Sequence, residues 1–362
     1  MIHCGEPQIG PKERAYVADV LESGRLTEGP WCKALSQELQ SLINRGVVPV
    51  SSGTAALHVA LLAVGVHPGD EVIVPATTYV ATANAALLCG AKVRVCDVDE
   101  QSWTLDPANL PDLLTNKTSA IVPVHLYGVP ADMAGIEDAL EGHYRRTGRR
   151  VAIVEDCAEA LGAETTLGPV GALGDAAAFS FYGSKTITTG GEGGAVAWGD
   201  WMVGSRAEHV SHQSMTDERY VHDCIGFNYR MTEIQAAFGV AQMEQLGEFL
   251  DKRRQIFQWY DDRLDWVERQ QLPKRFTHGY WAYAVKLRSF SSLVREKMRL
   301  AGVETRPVFP PLWNMPHIGR GDRLEGSVAS GLYMRGIVLP THCGLSEGDV
   351  DTVCKELTLA CR

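Results

Sequence analysis

Between residues 46 and 200 the chain alternates short apolar runs with stretches of helical spacing, and this alternation constrains the fold more than any other feature. EVIVPA (71–76), KVRVCDV (92–98), SAIVPVHLYG (119–128), RVAIVE (150–155), DAAAFSFYG (175–183) and GAVAWGD (194–200) read as strands. TYVATANAALLCG (78–90) and the stretch around Met133 to Tyr144 read as helices. Strands and helices in turn predict an α/β fold with a mostly parallel sheet covered on both faces, a three-layer arrangement. Residues 10–45 carry helical patterning interrupted by the loop SGRLTEGP, Ser23 to Pro30. Residues 231–264 carry a helical pattern too long for one ordinary helix without a bend. Beyond it lie the strand-like WAYAVKL (281–287), helix signals and the proline-rich TRPVFPPLWNMP (305–316), which read as a smaller α+β domain. The expected division is 1–245 for a large domain and 246–362 for a small one.

Composition bounds the function classes. With 362 residues, 45% apolar and 22% charged, the chain is long enough for two substantial cores. A net charge of −10 argues against nucleic acid or an anionic membrane as partner. The start, MIHCGEPQIGPKER, lacks an apolar run before a cleavage site, and the longest apolar stretches are far short of a membrane span, so a cytoplasmic location is expected. Nine cysteines without a close Cys-x-x-Cys pair read as reduced thiols, and no zinc-ligand spacing is visible.

In an open α/β sheet, ligands gather at the carboxyl ends of the strands. Asp156 stands there, directly after VAIVE; it either caps the following helix or faces a ligand. Lys185 comes 29 positions later, in FSFYGSKTITTGGEGG, where a strand-like run gives way to four glycines in five positions. A lysine at this place is a solvated loop residue, a phosphate ligand, or the amine that bonds a carbonyl cofactor. The phosphate-loop fingerprint lacks its upstream glycine, and no G-x-G-x-x-G follows a first strand. Paired with Asp156 the third reading has a chemical meaning. Pyridoxal phosphate offers an aldehyde to a lysine and a pyridine nitrogen that a carboxylate keeps protonated. Gly53 and Thr54, in SSGTAAL at a helix start, either cap the helix or present free amides to a phosphate. Ser180 is a strand serine or a further phosphate donor. Tyr79 is a core aromatic or a cover for the pyridine ring.

The set PVSSGTAALHVALL, PATTYVATANAAL, VPVHLYGVPADM, VEDCAEALGA, FSFYGSKTITTGGEGGA, GFNYRMTEIQAAFGVAQMEQL and RPVFPPLWNMP resembles the sugar aminotransferase family, over nearly the whole chain. These are pyridoxal-phosphate enzymes of the aspartate-aminotransferase fold that convert ketosugars, mostly nucleotide-linked, into aminosugars. The resemblance implies pyridoxal 5'-phosphate as cofactor, Lys185 as the residue bonded to it and Asp156 as partner of the pyridine nitrogen. It implies Tyr79 over the ring, with Gly53, Thr54 and Ser180 on the phosphate. Glu159 falls beside the ring, where the family often has glutamine. Asn228 matches an asparagine reaching the phosphate of the neighbouring subunit, which implies a homodimer with shared sites. Some members, dehydratases, carry histidine where this chain has Lys185, so transamination is expected, with L-glutamate as donor.

The segment QSMTDERYVHDCIGFNYRMTEIQAA, with ETRPVFPPLWNMP and RGIVLPTH, looks most like perosamine-synthase-type members, which aminate carbon 4 of GDP-4-keto-6-deoxymannose. Trp313 departs from a histidine common there, and Arg25 from a common aromatic. Arg25, His212, Tyr220, Arg230, Arg306 and Trp313 are the substrate-side candidates. His58 is expected to pack in its helix and His125 to support a strand end near the cofactor. The alternatives are amination at carbon 3 or of another ketosugar or an inosose, and a noncatalytic regulatory protein on the same fold.

Overall fold

The computed structural model describes residues 1–318 and 326–362. The alternating region folds into β1 (Gly46–Val50), β2 (Glu71–Pro75), β3 (Lys92–Cys96), β4 (Thr118–Ile121), β5 (Ala152–Asp156), β6 (Glu164–Thr165), β7 (Gly168–Pro169), β8 (Ala176–Ser180) and β9 (Gly194–Trp198). Seven of these form one sheet in the order β1-β9-β8-β5-β4-β2-β3, while β6 and β7 pair separately. The contacts β3–β2, β2–β4, β4–β5 and β5–β8 are parallel, and β9 runs against both its neighbours. All five residues of β2 are buried, as a strand covered on both faces requires. The mostly parallel α/β sheet is therefore as the alternation predicts.

The helix Gly53–Ala63 is apolar on nearly every side, and it packs against β8, β9 and the helices Ala81–Leu88 and Trp201–Ser211. A helix with no polar face is stable only when enclosed. Helices Pro11–Ser23 and Pro30–Ile43 flank the 23–30 loop and pack on the helix Glu233–Met243. The long helical pattern breaks after Met243 and resumes as Leu246–Asp261, so the expected bend is a break at Glu244 and Gln245.

The remainder forms a second, antiparallel sheet from β10 (Glu268–Arg269), β11 (Tyr283–Lys286), β12 (Arg306–Pro307) and β13 (Gly336–Leu339), in the order β10-β11-β13-β12. Its core joins Ile256, Tyr260, Val285, Met298, Ile337, Val353 and Leu357. Part of the expected small domain, residues 319–325, lies outside the described residues. Residues near the amino end also join this sheet region: Ile2 donates to Gly302 and accepts from Glu304, and Cys4 accepts from Thr341. Among the described residues no helix is long and apolar enough to cross a membrane.

The expected strand 119–128 is cut short at Ile121, because Pro123 has no N–H for a ladder. The chain continues alongside β5 instead, with Asp156 donating its N–H to Pro123 and accepting from His125. Beneath this junction Glu155 is wholly buried and accepts four hydrogen bonds: from His125 Nε2 at 3.0 Å, Gly171 at 2.9 Å, and Leu173 and Gly174 at 2.7 Å each. His125 Nδ1 accepts from the Ala131 N–H at 3.0 Å, which places the ring proton on Nε2, facing Glu155. Burial pushes the Glu155 pKa up, but the His125 bond and the backbone donors outweigh it and hold the carboxyl below the usual range.

Glu155→Gln turns an amide N–H2 toward groups that are already donors, so it is expected to lower stability by about 3 kcal/mol or more. The measurement is a shift of the denaturant midpoint at neutral pH with an unchanged slope. The folded pKa lies below the unfolded one, so the carboxylate's contribution is full above about pH 4.3 and is lost as pH falls through the folded value. The difference between wild type and variant should therefore shrink in acid; equal midpoints at neutral pH would contradict the anchor.

Candidate active site

Five chain segments meet at one edge of the large sheet. The parallel strands β1, β2, β5 and β8 end there, and the reversed strand β9 begins there. They enclose a cleft of about 420 Å³ lined by Gly53, Thr54, Tyr79, Asp156, Glu159, Ser180 and Lys185, and closed from the second sheet by Trp281, Arg306 and Phe309.

The glycine-rich texture has a steric origin. Gly194 lies between Val50 and Ser180 in the sheet, and an added Cβ would stand 2.6 Å from the Phe179 carbonyl oxygen and from Ser52. Gly191, with φ +134°, turns the chain so that it pairs with Gly183 beside Lys185. The Lys185 N–H donates to Tyr182 at 2.9 Å, and Trp281 Nε1 donates to the Ser184 carbonyl at 3.0 Å, fixing the turn from which Lys185 projects.

The cleft holds one lysine and two shielded carboxylates, Asp156 and Glu159, with a third, Glu192, exposed at its rim. Lys185 Nζ lies 3.6 Å from Glu159 Oε1 and 4.1 Å from the centre of the Trp281 ring. Burial lowers the Lys185 pKa, although Glu159 and Asp156 oppose this. Asp156 accepts from Thr82 Oγ1 at 2.8 Å on one oxygen and from the Ala158 N–H at 3.1 Å on the other. Burial raises its pKa, partly offset by those hydrogen bonds. Glu159 accepts from the Tyr127 N–H at 2.9 Å, and burial pushes its pKa up to about 7. A buried acid in this state gains from a cation placed against it.

Across the cleft, Ser52 caps the helix Gly53–Ala63 by accepting from the Ala55 N–H at 3.1 Å. The first amides of that helix remain available to an anion. Gly53 is packed so tightly on β8 that an added Cβ would lie 2.7 Å from Ser180 Cβ and 2.9 Å from its Oγ. An anion cradle at one side, a buried carboxylate at another and a shielded lysine between them fit a phosphorylated aldehyde with a protonatable ring. Tyr79 is 60% exposed beside the cleft, its ring 5.9 Å from that of Phe309.

The substrate-side candidates divide. Arg306 lines the cleft. Trp313 does not: it is 3% exposed and belongs to the main core, because the Leu312 N–H donates to the Ala76 carbonyl and draws the loop inward. Phe309 of the same loop takes the cleft wall instead. Arg230 pairs with Glu28, whose carbonyl accepts from Arg25, so both arginines are gathered at the 23–30 loop. His212 Nδ1 is bonded back to the Glu208 carbonyl at 2.7 Å, and Tyr220 is 76% exposed with Arg219 over its ring. Asn228 is exposed and bridged to His212, outside its own chain's cleft lining. His58 packs on Phe227 within its helix. Trp281 and Phe309 were not legible as cleft residues; the aromatic letters in WAYAVKL and RPVFPP are the sole signal.

The DegT/DnrJ/EryC1/StrS aminotransferase family matches residues 7–358. GDP-perosamine synthases of Caulobacter vibrioides and Escherichia coli O157:H7 are 36% and 37% identical, each over 97% of this chain and 96% of their own. A UDP-N-acetyl-3-dehydro-alpha-D-glucosamine 3-aminotransferase of Acidithiobacillus ferrooxidans is 33% identical over 81% of this chain and 78% of its own. Among solved structures, the sugar aminotransferase CalS13 of Micromonospora echinospora superposes with a TM-score of 0.93 at 27% identity, covering 99% of this chain and all of its own. Spr1654 of Streptococcus pneumoniae, solved in a PLP form, gives 0.92 at 26% identity, over 99% and 97%. The chain belongs to the DegT/DnrJ/EryC1/StrS family and is a pyridoxal-phosphate-dependent sugar aminotransferase.

Gly53→Ala inserts a methyl group into the cradle. It is expected to weaken pyridoxal phosphate binding at least tenfold, about 1.4 kcal/mol. Absorbance titration of the cofactor-free variant measures this; wild-type affinity would remove Gly53 from the anion site.

Proposed function

From this membership we propose that the chain moves an amino group from L-glutamate to carbon 4 of a nucleotide-linked 4-keto-6-deoxyhexose, GDP-4-keto-6-deoxymannose. The observation that carries the transamination reading is the convergence of Lys185, Asp156 and a helix amino end in one cleft. The sugar assignment is supported by the two GDP-perosamine synthases among the relatives.

When bound, pyridoxal phosphate supplies an aldehyde that takes up the donor's nitrogen and a protonated ring that accepts electrons. The chain supplies the rest. The amides of Gly53 and Thr54 and the Ser180 hydroxyl hold the phosphate dianion. Asp156, fixed by Thr82 and Ala158, remains an anion against the ring nitrogen and so keeps it protonated. Lys185 is the nucleophile and the base: burial lowers its pKa, which favours the free amine, and Nζ would take the proton from the substrate carbon that bears the nitrogen and deliver it to the aldehyde carbon of the cofactor. Its confinement beside Trp281 keeps Nζ in place for both transfers. Tyr79 covers the ring, and the Arg306 cation receives an anionic group of donor or sugar nucleotide. Asn228 and the 212–230 segment, outside their own cleft, serve a partner's site in a homodimer.

A second reading, amination at carbon 3, is favoured by the 3-aminotransferase relative. The position of the new C–N bond, read by NMR of the product, separates the two.

L-Glutamate alone is expected to convert bound PLP to PMP, with one 2-oxoglutarate released per site, before any sugar is added. Lys185→Ala should lower the rate of this half-reaction by about a thousandfold, the scale of a lost general base. Cofactor absorbance and stopped-flow measure both. An unchanged spectrum with glutamate would remove glutamate as donor.

A further inference from the structure

The resemblance places Glu159 beside the cofactor ring, and the transamination chemistry gives its carboxyl no proton to hold, yet the fold invests much in placing it. Its Oε2 accepts from the Tyr127 N–H at 2.9 Å. Tyr127 is 1% exposed and has φ +56°, a conformation that a bulky residue keeps only when its surroundings enforce it. They do: its hydroxyl accepts from the Phe309 N–H at 3.1 Å, and its ring stacks on Trp281 and Phe309 at 6.1 Å and 5.5 Å. Trp281 also lies under Lys185 Nζ. One oxygen of Glu159 is thus pinned by a constrained donor, and the other is left 3.6 Å from the lysine amine.

Other charged groups facing this pair are Asp156, from the end of β5, and Arg306, from β12. Asp156 already has two donors. Among the described residues, Lys185 is the cation within ion-pair distance of Glu159, and Glu159 is the carboxylate at that distance from Lys185. In a shielded site, with the Lys185 and Glu159 side chains 14% and 4% exposed, each charge is costly alone, whereas moving a proton between the two leaves the net charge of the pair unchanged.

We propose that Glu159 and Lys185 form a proton-sharing pair, in which Glu159 takes the proton that Lys185 sheds to become a free amine and returns it when the amine is protonated again. The balance is internal: an ammonium and a carboxylate become an amine and a carboxylic acid, with no charge leaving the cleft and no further reactant. Glu159 is a positioning and proton-holding residue that acts through Lys185. Burial draws the two groups toward each other, pushing Glu159 up to about 7 and Lys185 down, the condition for a coupled titration. The inference rests on the reading of Lys185 as the reacting amine.

The test is competitive acylation of the full-length chain, freed of cofactor, from about pH 5 to about pH 10, which brackets the reference carboxyl and lysine values. Mass spectrometry of the Lys185 peptide gives the fraction of free amine. Wild type should titrate in two steps. Glu159→Gln, which keeps the acceptor for Tyr127 but cannot take the proton, should titrate in one step about one pH unit lower, since the counter-charge is gone and burial remains. Glu159→Asp should restore the second step. Superimposable wild-type and Gln curves would overturn the proposal. If the Gln variant does not fold, the carboxyl infrared band of Glu159 in Lys185→Met decides. Its midpoint should rise once the cation is removed, and an unmoved midpoint would overturn the pair. Neither measurement needs cofactor or sugar, so failure here leaves the transamination reading standing.

Discussion

Two adjacent carboxylates at the end of β5, pointing to opposite faces, are the constraint on which the site depends. Side chains alternate along a strand, so Glu155 and Asp156 cannot face the same way. Glu155 turns under the sheet and gathers His125 and the amides of 171–174, four donors on one buried group. Asp156 turns into the cleft. The anchor below sets the height and direction of the acid above, because one peptide unit separates them. Three residues on, Glu159 enters the same cleft from the next turn of the chain.

The cleft is an arrangement of charges that the chain alone leaves partly unbalanced. Buried Asp156 and Glu159 are pushed toward their neutral forms, and so is Lys185. A ligand with a protonated ring at one end and a phosphate at the other complements this pattern: cation to Asp156, anion to the helix amino end. The glycines at 53 and 194 hold those elements closer than any side chain would allow. The groups are thus ordered before the ligand arrives, which lowers the cost of ordering them on binding.

The sheet was legible because burial on both faces leaves uninterrupted apolar runs. β2, β3, β8 and β9 fall inside the runs read from the sequence, β5 runs one residue past its run to Asp156, and β4 is shortened by Pro123, whose missing N–H ends the ladder inside an apolar run. Lys185, Asp156, Gly53, Thr54, Tyr79 and Ser180 do border one cleft, since strand ends and helix starts are local features that topology collects at one edge. The substrate side was less legible. Which aromatic of VFPPLW faces the cleft depends on a single long-range bond, Leu312 to Ala76, which buries Trp313 and leaves Phe309 outside. Arg230 and Arg25 are claimed by Glu28, a pairing across 202 positions in one case. No periodicity within a segment reports such contacts.

The central claim is a covalent link between the cofactor aldehyde and one amine of this chain. Borohydride reduction of the holoenzyme, followed by peptide mass mapping, tests it most directly. The account predicts a pyridoxyl-phosphate mass on the peptide containing Lys185 and on no other lysine. A modification elsewhere, or none at Lys185, would contradict it.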